Sequence, residues 1–367
     1  MNPLRELQIY GQSFWIDYIR RSMITRGELK RMMEDDGLRG VTSNPTIFEQ
    51  AIDGSTDYDE DLKRLRSADP HMDAHWIYET LSIEDIRMAA DVLRPVYEES
   101  GGADGYVSIE ASPFLAHDTQ ATISEALRLW RGVDRPNVMI KVPGTREGIP
   151  AFEALISQGV NVNVTLLFSL AHYEAVANAY LRAVERCPNP QQIASVASLF
   201  LSRVDTAVDN VLARIPGPEA ATLRGKIAVS NAKLVYRRFR QIFQGPRFAA
   251  AARRGVKVQR PLWASTGTKN PEYPDTMYVE ELIGPDTVNT MPPKTMEAFR
   301  DHGRVRRITA EEGTGEADAR LDRLARLGVD LNQITQTLQD EGVAAFSTSL
   351  DKLLATLDRK SHAIQNV

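Results

Sequence analysis

The 367-residue chain is 43% hydrophobic and 25% charged, an ordinary composition for a globular protein in water. Its net charge of −5 and isoelectric point of about 5.8 argue against broad nucleic-acid binding. Cys187 is the single cysteine, which excludes an intramolecular disulfide. No apolar run approaches the roughly 18–20 residues that span a bilayer, and the N-terminus carries no signal-peptide pattern. We therefore expect a cytoplasmic protein without membrane contact.

Short apolar runs recur along the chain and are the candidate strands. In chain order they are Phe14–Ile19, Gly40–Asn44, Tyr106–Glu110, Val138–Val142, Val160–Phe168, Ile193–Phe200, Val258–Ser265 and Asp286–Met291. Runs that are mostly apolar throughout are typical of strands covered on both faces, as in a parallel sheet. Amphipathic helical patterns fill the gaps between these eight runs.

Eight strands alternating with helices predict an α/β protein with the (β/α)8 TIM barrel architecture. An open doubly wound sheet is the alternative. The first strand is not followed by a Gly-x-Gly-x-x-Gly motif, which disfavours that alternative. Residues 50–80 form a long insertion after the second strand, and their pattern predicts additional helices.

The chain beyond about residue 305 has a different pattern, in which a polar linker at 311–316 comes first. Three helical patterns follow it, at 316–327, 330–341 and 343–358. We expect these C-terminal helices to pack on the barrel and not to form a second domain. The predicted organisation is one domain over 1–367, with a barrel core at about 14–305 and a helical extension at about 306–367.

Lys141 is the most informative residue, because it lies within the apolar run Val-Met-Ile-Lys-Val-Pro. Burying an ammonium without a partner is costly, and a lysine relieves that cost by losing its proton. A neutral amine is a nucleophile that forms a Schiff base with a carbonyl substrate. The alternative is a lysine at a strand end whose head group reaches water or pairs with a carboxylate.

Further polar residues lie within or just after the predicted strands. They are Asp17, Asn44, Glu110, Asn163, Thr165, Ser198, Arg203 and Lys269. The carboxyl ends of the strands form one face of a TIM barrel, so these side chains are expected to converge there with Lys141. Carboxylates can move protons, amides can bind hydroxyls and the two cations can bind a phosphate. The pattern predicts an imine-forming enzyme that acts on a phosphorylated carbonyl compound. Single members of the set could instead be satisfied core polar groups or, for the two cations, surface ion pairs.

The histidines give little support for a metal site. His71 and His75 share an i, i+4 spacing but lack the acidic partner of a zinc motif, and the other four are scattered. A metal site at these histidines is not expected.

Four segments together resemble the transaldolase family. They are Val41–Ile47, Ser108–Glu110, Ile140–Ile149 and Gly159–Ser169. Each motif is weak alone, but all of them in this order are specific, and the similarity extends from about Phe14 to Met291. The chain length, the insertion after the second strand and the segment Trp263–Asn270 are similar to the longer bacterial branch of that family.

The resemblance implies a (β/α)8 barrel without a cofactor, whose Schiff-base lysine corresponds to Lys141. It implies transfer of a dihydroxyacetone unit from sedoheptulose 7-phosphate to glyceraldehyde 3-phosphate. The products are erythrose 4-phosphate and fructose 6-phosphate, in the non-oxidative pentose phosphate pathway. By position, Asp17 corresponds to the acid/base for the C4 hydroxyl. Glu110, through a water held by Thr165, corresponds to the group that dehydrates the carbinolamine.

The remaining family roles concern substrate binding. Asn44 and Asn163, with Ser198 beside them, correspond to residues that bind the dihydroxyacetone part. Arg203 corresponds to a phosphate ligand, and Phe200 to an aromatic residue that lines the pocket. Sugar phosphates are the expected partners of a monomer or homodimer.

One departure concerns the second phosphate ligand. Many transaldolases have an arginine in the loop after the seventh strand, whereas this loop reads Ser-Thr-Gly-Thr-Lys-Asn over 265–270. Lys269 is the expected substitute, although an ammonium lacks the bidentate fork of an arginine.

Two other functions stay open. A fructose 6-phosphate aldolase-type lyase shares the fold and the lysine, but tends to have glutamine in place of Glu110 and tyrosine in place of Phe200. A non-catalytic barrel that binds sugar phosphates is the other alternative, because fold alone does not establish function.

Overall fold

The computed structural model describes residues 2–365, and eight parallel strands form its centre. The strands are β1 (Gln12–Asp17), β2 (Gly40–Thr42), β3 (Tyr106–Glu110), β4 (Val138–Pro143), β5 (Val162–Leu167), β6 (Ser195–Phe200), β7 (Arg260–Ala264) and β8 (Thr287–Met291). They close in sequence order, with β1 paired to both β2 and β8. The closed parallel barrel confirms the predicted fold class. Every predicted strand is present, and its ends differ from the prediction by at most two residues.

Helices lie between consecutive strands and around the barrel. The helices within residues 2–365 are α1 (Pro3–Glu6), α2 (Arg21–Thr25), α3 (Glu28–Arg31), α4 (Pro45–Asp53), α5 (Asp59–Ala68), α6 (Ala74–Glu99), α7 (Thr119–Val133), α8 (Gly148–Ser157), α9 (Leu170–Arg186), α10 (Ser202–Leu212), α11 (Pro218–Leu223), α12 (Ile227–Phe243), α13 (Pro246–Ala252), α14 (Met277–Glu280), α15 (Pro293–His302), α16 (Thr314–Arg326) and α17 (Leu331–Gln365). Short 3₁₀ helices cover Leu7–Tyr10, Pro113–Leu115 and Pro190–Gln192, and one π-helical turn covers Met32–Asp36. Within this described part, no helix combines the length and the apolar character that crossing a membrane requires.

The strands are buried on both faces, as their apolar composition predicts. All six residues of β4 are buried, including Lys141. Between β1 and β2 the interior is tight, because Trp15 lies directly beside Gly40. A Cβ atom on Gly40 would lie 2.4 Å from the indole ring of Trp15, so a larger residue would displace that ring.

The predicted insertion after β2 is helical, as expected. It forms the end of α4, all of α5 and the first turns of α6. Helix α4 begins immediately after β2, because Asn44 adopts an extended backbone and its side-chain oxygen accepts a hydrogen bond from the Ile47 N–H. This cap places the start of α4 at the carboxyl end of the barrel.

The C-terminal prediction was wrong in one respect, because two helices replace the three that were expected. The patterns at 330–341 and 343–358 join into the single helix α17. Gly342 lies between them and does not end the helix, although an interior glycine costs about 1 kcal/mol relative to alanine. Helix α17 packs against α4, α5 and α6, and its apolar residues belong to the same hydrophobic core as the strands. Tertiary packing therefore offsets the weak helix propensity of Gly342.

Candidate active site

A cavity of about 210 Å³ opens at the carboxyl ends of the strands. Eight of the ten predicted site residues line it, namely Asp17, Asn44, Lys141, Asn163, Thr165, Ser198, Phe200 and Arg203. The predicted convergence of side chains from different strands is therefore observed for these eight. Glu110 lies just behind the cavity wall, and Lys269 lies elsewhere.

The Lys141 amine is buried and has two partners. It donates to the Ser43 carbonyl oxygen at 2.8 Å and to Glu110 Oε2 at 3.3 Å. Glu110 and Lys141 are opposite each other in the β3–β4 register, so the contact follows directly from strand pairing. The side chain does not reach water, since only 6% of it is exposed. Lys141 thus pairs with a carboxylate and at the same time faces the cavity.

Burial raises the pKa of the Glu110 carboxyl above its ordinary value. The positive charge and hydrogen bond of Lys141 act in the opposite direction, and the charge of Asp17 adds to the increase. A carboxyl group with a raised pKa beside an amine can carry a proton near neutral pH. The Glu110–Lys141 pair can therefore exchange one proton without solvent.

Asp17 is the last residue of β1 and lines the same cavity as Lys141. Its Oδ1 accepts a 2.6 Å hydrogen bond from the Thr42 hydroxyl, which lies 2.7 Å from the Thr290 hydroxyl. Burial raises the pKa of Asp17, while the charge of Lys141 and the Thr42 hydrogen bond lower it. Asp17 is therefore a fixed carboxyl group suited to acid/base chemistry in the cavity.

Amide and hydroxyl groups form a chain along one wall of the cavity. The Ser198 hydroxyl donates to Asn163 Oδ1 at 2.6 Å, and Asn163 Nδ2 donates to the Ser108 hydroxyl at 3.2 Å. These bonds fix the orientation of the Asn163 amide. Thr165 is fully buried, and among the described residues its hydroxyl has no hydrogen-bond partner. That hydroxyl can bind a water or a substrate oxygen.

The cap at α4 also orients Asn44 in the cavity. Its Oδ1 is engaged by the Ile47 N–H at 3.1 Å, so its amide nitrogen is the donor that can serve a ligand. A buried neutral donor of this kind is suited to a substrate hydroxyl.

Among the described residues that line the cavity there is one arginine, Arg203. Arg203 lies in the first turn of α10, and its guanidinium lies over the rings of Phe200, at 5.8 Å, and Phe346, at 6.0 Å. Lys269, the predicted second cation, instead lines a separate cavity of about 200 Å³ with Ser202, Asp205 and Tyr273. The structure therefore does not bring Lys269 together with the other predicted residues.

Several lining residues were not found from the sequence. They are Thr42, Thr46, Ile47, Leu262, Ala264, Ser265, Thr290 and Phe346. Ser265 directly follows β7 and has a left-handed backbone with φ of 53°, which is uncommon for a residue with a side chain. Its position at a strand end was a usable signal. Phe346 had no such signal, because it lies within the C-terminal helix α17.

A larger cavity, about 690 Å³, lies at the opposite end of the barrel. Its central polar groups are already paired with each other. Asp104 accepts hydrogen bonds from Ser13 and Trp15, and Arg260 donates to Ser13. Such a satisfied network at the amino ends of the strands is typical of structural stabilisation in this fold. The smaller cavity around Lys141 is the better candidate for chemistry.

Within residues 2–365, no group of three or more His, Cys, Asp or Glu side chains is arranged to hold a metal ion.

Comparisons with known proteins identify the family of this chain. Residues 14–357 match the family model described as Transaldolase/Fructose-6-phosphate aldolase. The chain is 50% identical to a transaldolase of Thiobacillus denitrificans, over 97% of this chain and 100% of that protein. It is 48% identical to a transaldolase of Acidothermus cellulolyticus, over 98% of this chain and 96% of that protein. A transaldolase of Mycolicibacterium smegmatis is 45% identical, over 96% of both chains.

Proposed function

Because this chain belongs to the transaldolase/fructose-6-phosphate aldolase family, we propose that it is a transferase that moves a dihydroxyacetone unit between sugar phosphates. The proposed donor is sedoheptulose 7-phosphate and the proposed acceptor is glyceraldehyde 3-phosphate, in the pentose phosphate pathway of the cytoplasm. The observation that carries the proposal is the buried Lys141 amine, which contacts Glu110 and faces a cavity that Asp17 also lines.

The first step in the proposed mechanism is formation of the imine. The Lys141 ammonium first passes one proton to the nearby Glu110 carboxylate, and the free amine attacks the ketose carbonyl carbon. One amine proton moves to the new alkoxide oxygen, which gives a carbinolamine. Glu110 then returns its proton to the carbinolamine hydroxyl, which leaves as water, and an iminium ion remains. The unpartnered Thr165 hydroxyl can hold the water that carries this proton.

The second step is cleavage of the C3–C4 bond. Asp17 takes the proton of the C4 hydroxyl, the bond breaks and the electron pair moves to the iminium, which becomes an enamine. The aldehyde product leaves. The acceptor aldehyde then undergoes the reverse sequence, in which Asp17 returns the proton to the new hydroxyl.

The binding roles follow from the groups around the amine. The fixed amide of Asn163 and the amide nitrogen of Asn44 are suited to the dihydroxyacetone hydroxyls, with Ser198 completing the hydrogen-bond chain. Arg203 is suited to the phosphate. Lys269 stays a weaker candidate, because it lines the neighbouring cavity.

A lyase that releases free dihydroxyacetone is the second candidate, since the family model covers both activities. Glu110 and Phe200 favour the transferase. A glutamine in place of Glu110 could not carry a proton, and Phe200 lacks the hydroxyl that would deliver one to the enamine.

The test measures glyceraldehyde 3-phosphate released from fructose 6-phosphate, with and without erythrose 4-phosphate. Strong dependence on the acceptor is expected, whereas equal release without acceptor would establish an aldolase. Lys141→Met is the companion variant. It should lose turnover and borohydride-trapped imine, and surviving activity would overturn the imine mechanism.

A further inference from the structure

The Arg203 guanidinium has an unusual environment for a cation. Among the described residues it forms no hydrogen bond and no ion pair, and its side chain is half-buried. Its contacts are with the faces of two aromatic rings, Phe200 on β6 and Phe346 on α17. Burial lowers the pKa of Arg203 from its very high ordinary value, while the charge of Glu341 opposes this, so the group stays charged but poorly hydrated. Its N–H donors remain free for an anion.

Helix α17 is held close to this arginine by specific contacts. Gln339 Nε2 donates to the Gly144 carbonyl at 3.0 Å and to the Leu166 carbonyl at 2.9 Å, which ties the helix to the ends of β4 and β5. One turn further on, Gly342 comes so close that a Cβ atom there would lie 3.6 Å from Arg203 Nη1. Phe346, only 6% exposed, then projects into the cavity wall. Its ring is therefore fixed relative to Arg203.

We propose that Phe346 is a positioning residue that sets the preference of this enzyme for phosphorylated substrates, by holding the Arg203 guanidinium in the orientation that binds the phosphate. The inference rests on the proposed function. Besides Lys141, Arg203 is the only Lys or Arg among the described residues that line the cavity. A single arginine binds phosphate well when its planar fork is presented edge-on, so its orientation decides the strength of the contact.

An aromatic ring holds a guanidinium by its face, which leaves the N–H edge available to the ligand. A leucine at position 346 would keep an apolar side chain but remove the ring face. Arg203 would then be restrained by Phe200 alone and could rotate toward the exposed carboxylate of Glu341. A tyrosine at the same position would keep the ring and is the conservative variant.

The test compares Phe346→Leu and Phe346→Tyr with the parent enzyme. It measures kcat/KM for glyceraldehyde 3-phosphate and for unphosphorylated glyceraldehyde, with sedoheptulose 7-phosphate as donor and release of erythrose 4-phosphate as the readout. In a ping-pong mechanism the kcat/KM for an acceptor reports the half-reaction of that acceptor alone. We expect Phe346→Leu to lower the ratio of the two constants about tenfold, which corresponds to 1.4 kcal/mol. Phe346→Tyr should keep the ratio within about twofold of the parent value.

Leu353→Val is the matched control, because Leu353 is fully buried on the same helix and does not line the cavity. It should change stability without changing the ratio. An unchanged ratio in Phe346→Leu, or an equal fall in Leu353→Val, would overturn the proposal.

A second measurement separates this proposal from the proposed function. Binding of inorganic phosphate, measured by calorimetry, does not depend on turnover. Phe346→Leu should weaken it about tenfold, and equal affinity in parent and variant would refute the role of Phe346. Absence of acceptor-dependent turnover in the parent would count against the proposed function alone.

Discussion

Gly342→Ala tests the close approach of α17 to the barrel. Alanine in the interior of an unconstrained helix is more stable than glycine by about 1 kcal/mol. At this site, however, the added Cβ would lie 2.8 Å from Leu166 Cδ2 and 3.6 Å from Arg203 Nη1. Leu166 is buried and has a left-handed backbone with φ of 58°, and its carbonyl is held by Gln339. It therefore has little room to move away.

The two effects have opposite signs, and their sizes decide the outcome. Overpacking a well-packed site costs about 1–3 kcal/mol. Set against the gain of about 1 kcal/mol in helix propensity, this leaves a net destabilisation between zero and about 2 kcal/mol. We also expect a fall in kcat/KM, because displacing Leu166 disturbs the carboxyl end of β5 beside Thr165, which lines the cavity.

Urea unfolding of Gly342→Ala should be compared with Ala344→Gly. Ala344 is exposed on the same helix, so its substitution measures propensity alone and should cost about 1 kcal/mol. If Gly342→Ala gave the mirror-image gain of about 1 kcal/mol with unchanged kinetics, the steric argument would be refuted.

Three further predictions concern the cavity and its surroundings. Phe200→Tyr should increase release of free dihydroxyacetone, because it adds a hydroxyl near the enamine; product analysis without acceptor measures it. Because burial raises the pKa of both Asp17 and Glu110, activity should fall on the acid side at a pH above the ordinary carboxyl range of about 4. A profile of kcat/KM against pH checks this. Burial raises the pKa of Asp205 to about 6, so the folded state binds its proton more tightly than the unfolded chain does. As the pH rises from about 3 to about 7, the unfolding free energy of the parent should fall by up to about 3 kcal/mol relative to that of Asp205→Asn, as measured by urea unfolding across that range.

For each of these three predictions, one experimental outcome would contradict the reasoning. No rise in dihydroxyacetone release, with the fold intact, would remove the argument from Phe200 against the lyase. An acid limb at the ordinary carboxyl value would contradict the raised pKa of Asp17 and Glu110. Equal pH dependence of stability in the parent and in Asp205→Asn would show that Asp205 titrates normally in the folded protein.

The sequence was sufficient to predict the barrel and most of the candidate site. Each strand is a local run of apolar residues, and closing parallel strands in order brings their carboxyl ends to one face. Asp17 and Lys141 lie at or near those ends, and Asn163 is opposite Lys141 in the β4–β5 register, so their convergence follows from the strand order and pairing. The Glu110–Lys141 contact follows from pairing of neighbouring strands.

Only the tertiary structure decided which side chains surround Arg203 in the cavity and whether Lys269 joins them. Lys269 lies in the loop that begins with Ser265, whose backbone is left-handed, and the path of this loop places Lys269 in the neighbouring cavity. Hydrophobic periodicity does not encode the backbone angles of a loop. Phe346 enters the cavity because α17, far along the chain, is tied to Gly144 and Leu166 by Gln339. Such a contact between distant segments depends on packing geometry, which composition and spacing along the chain do not specify.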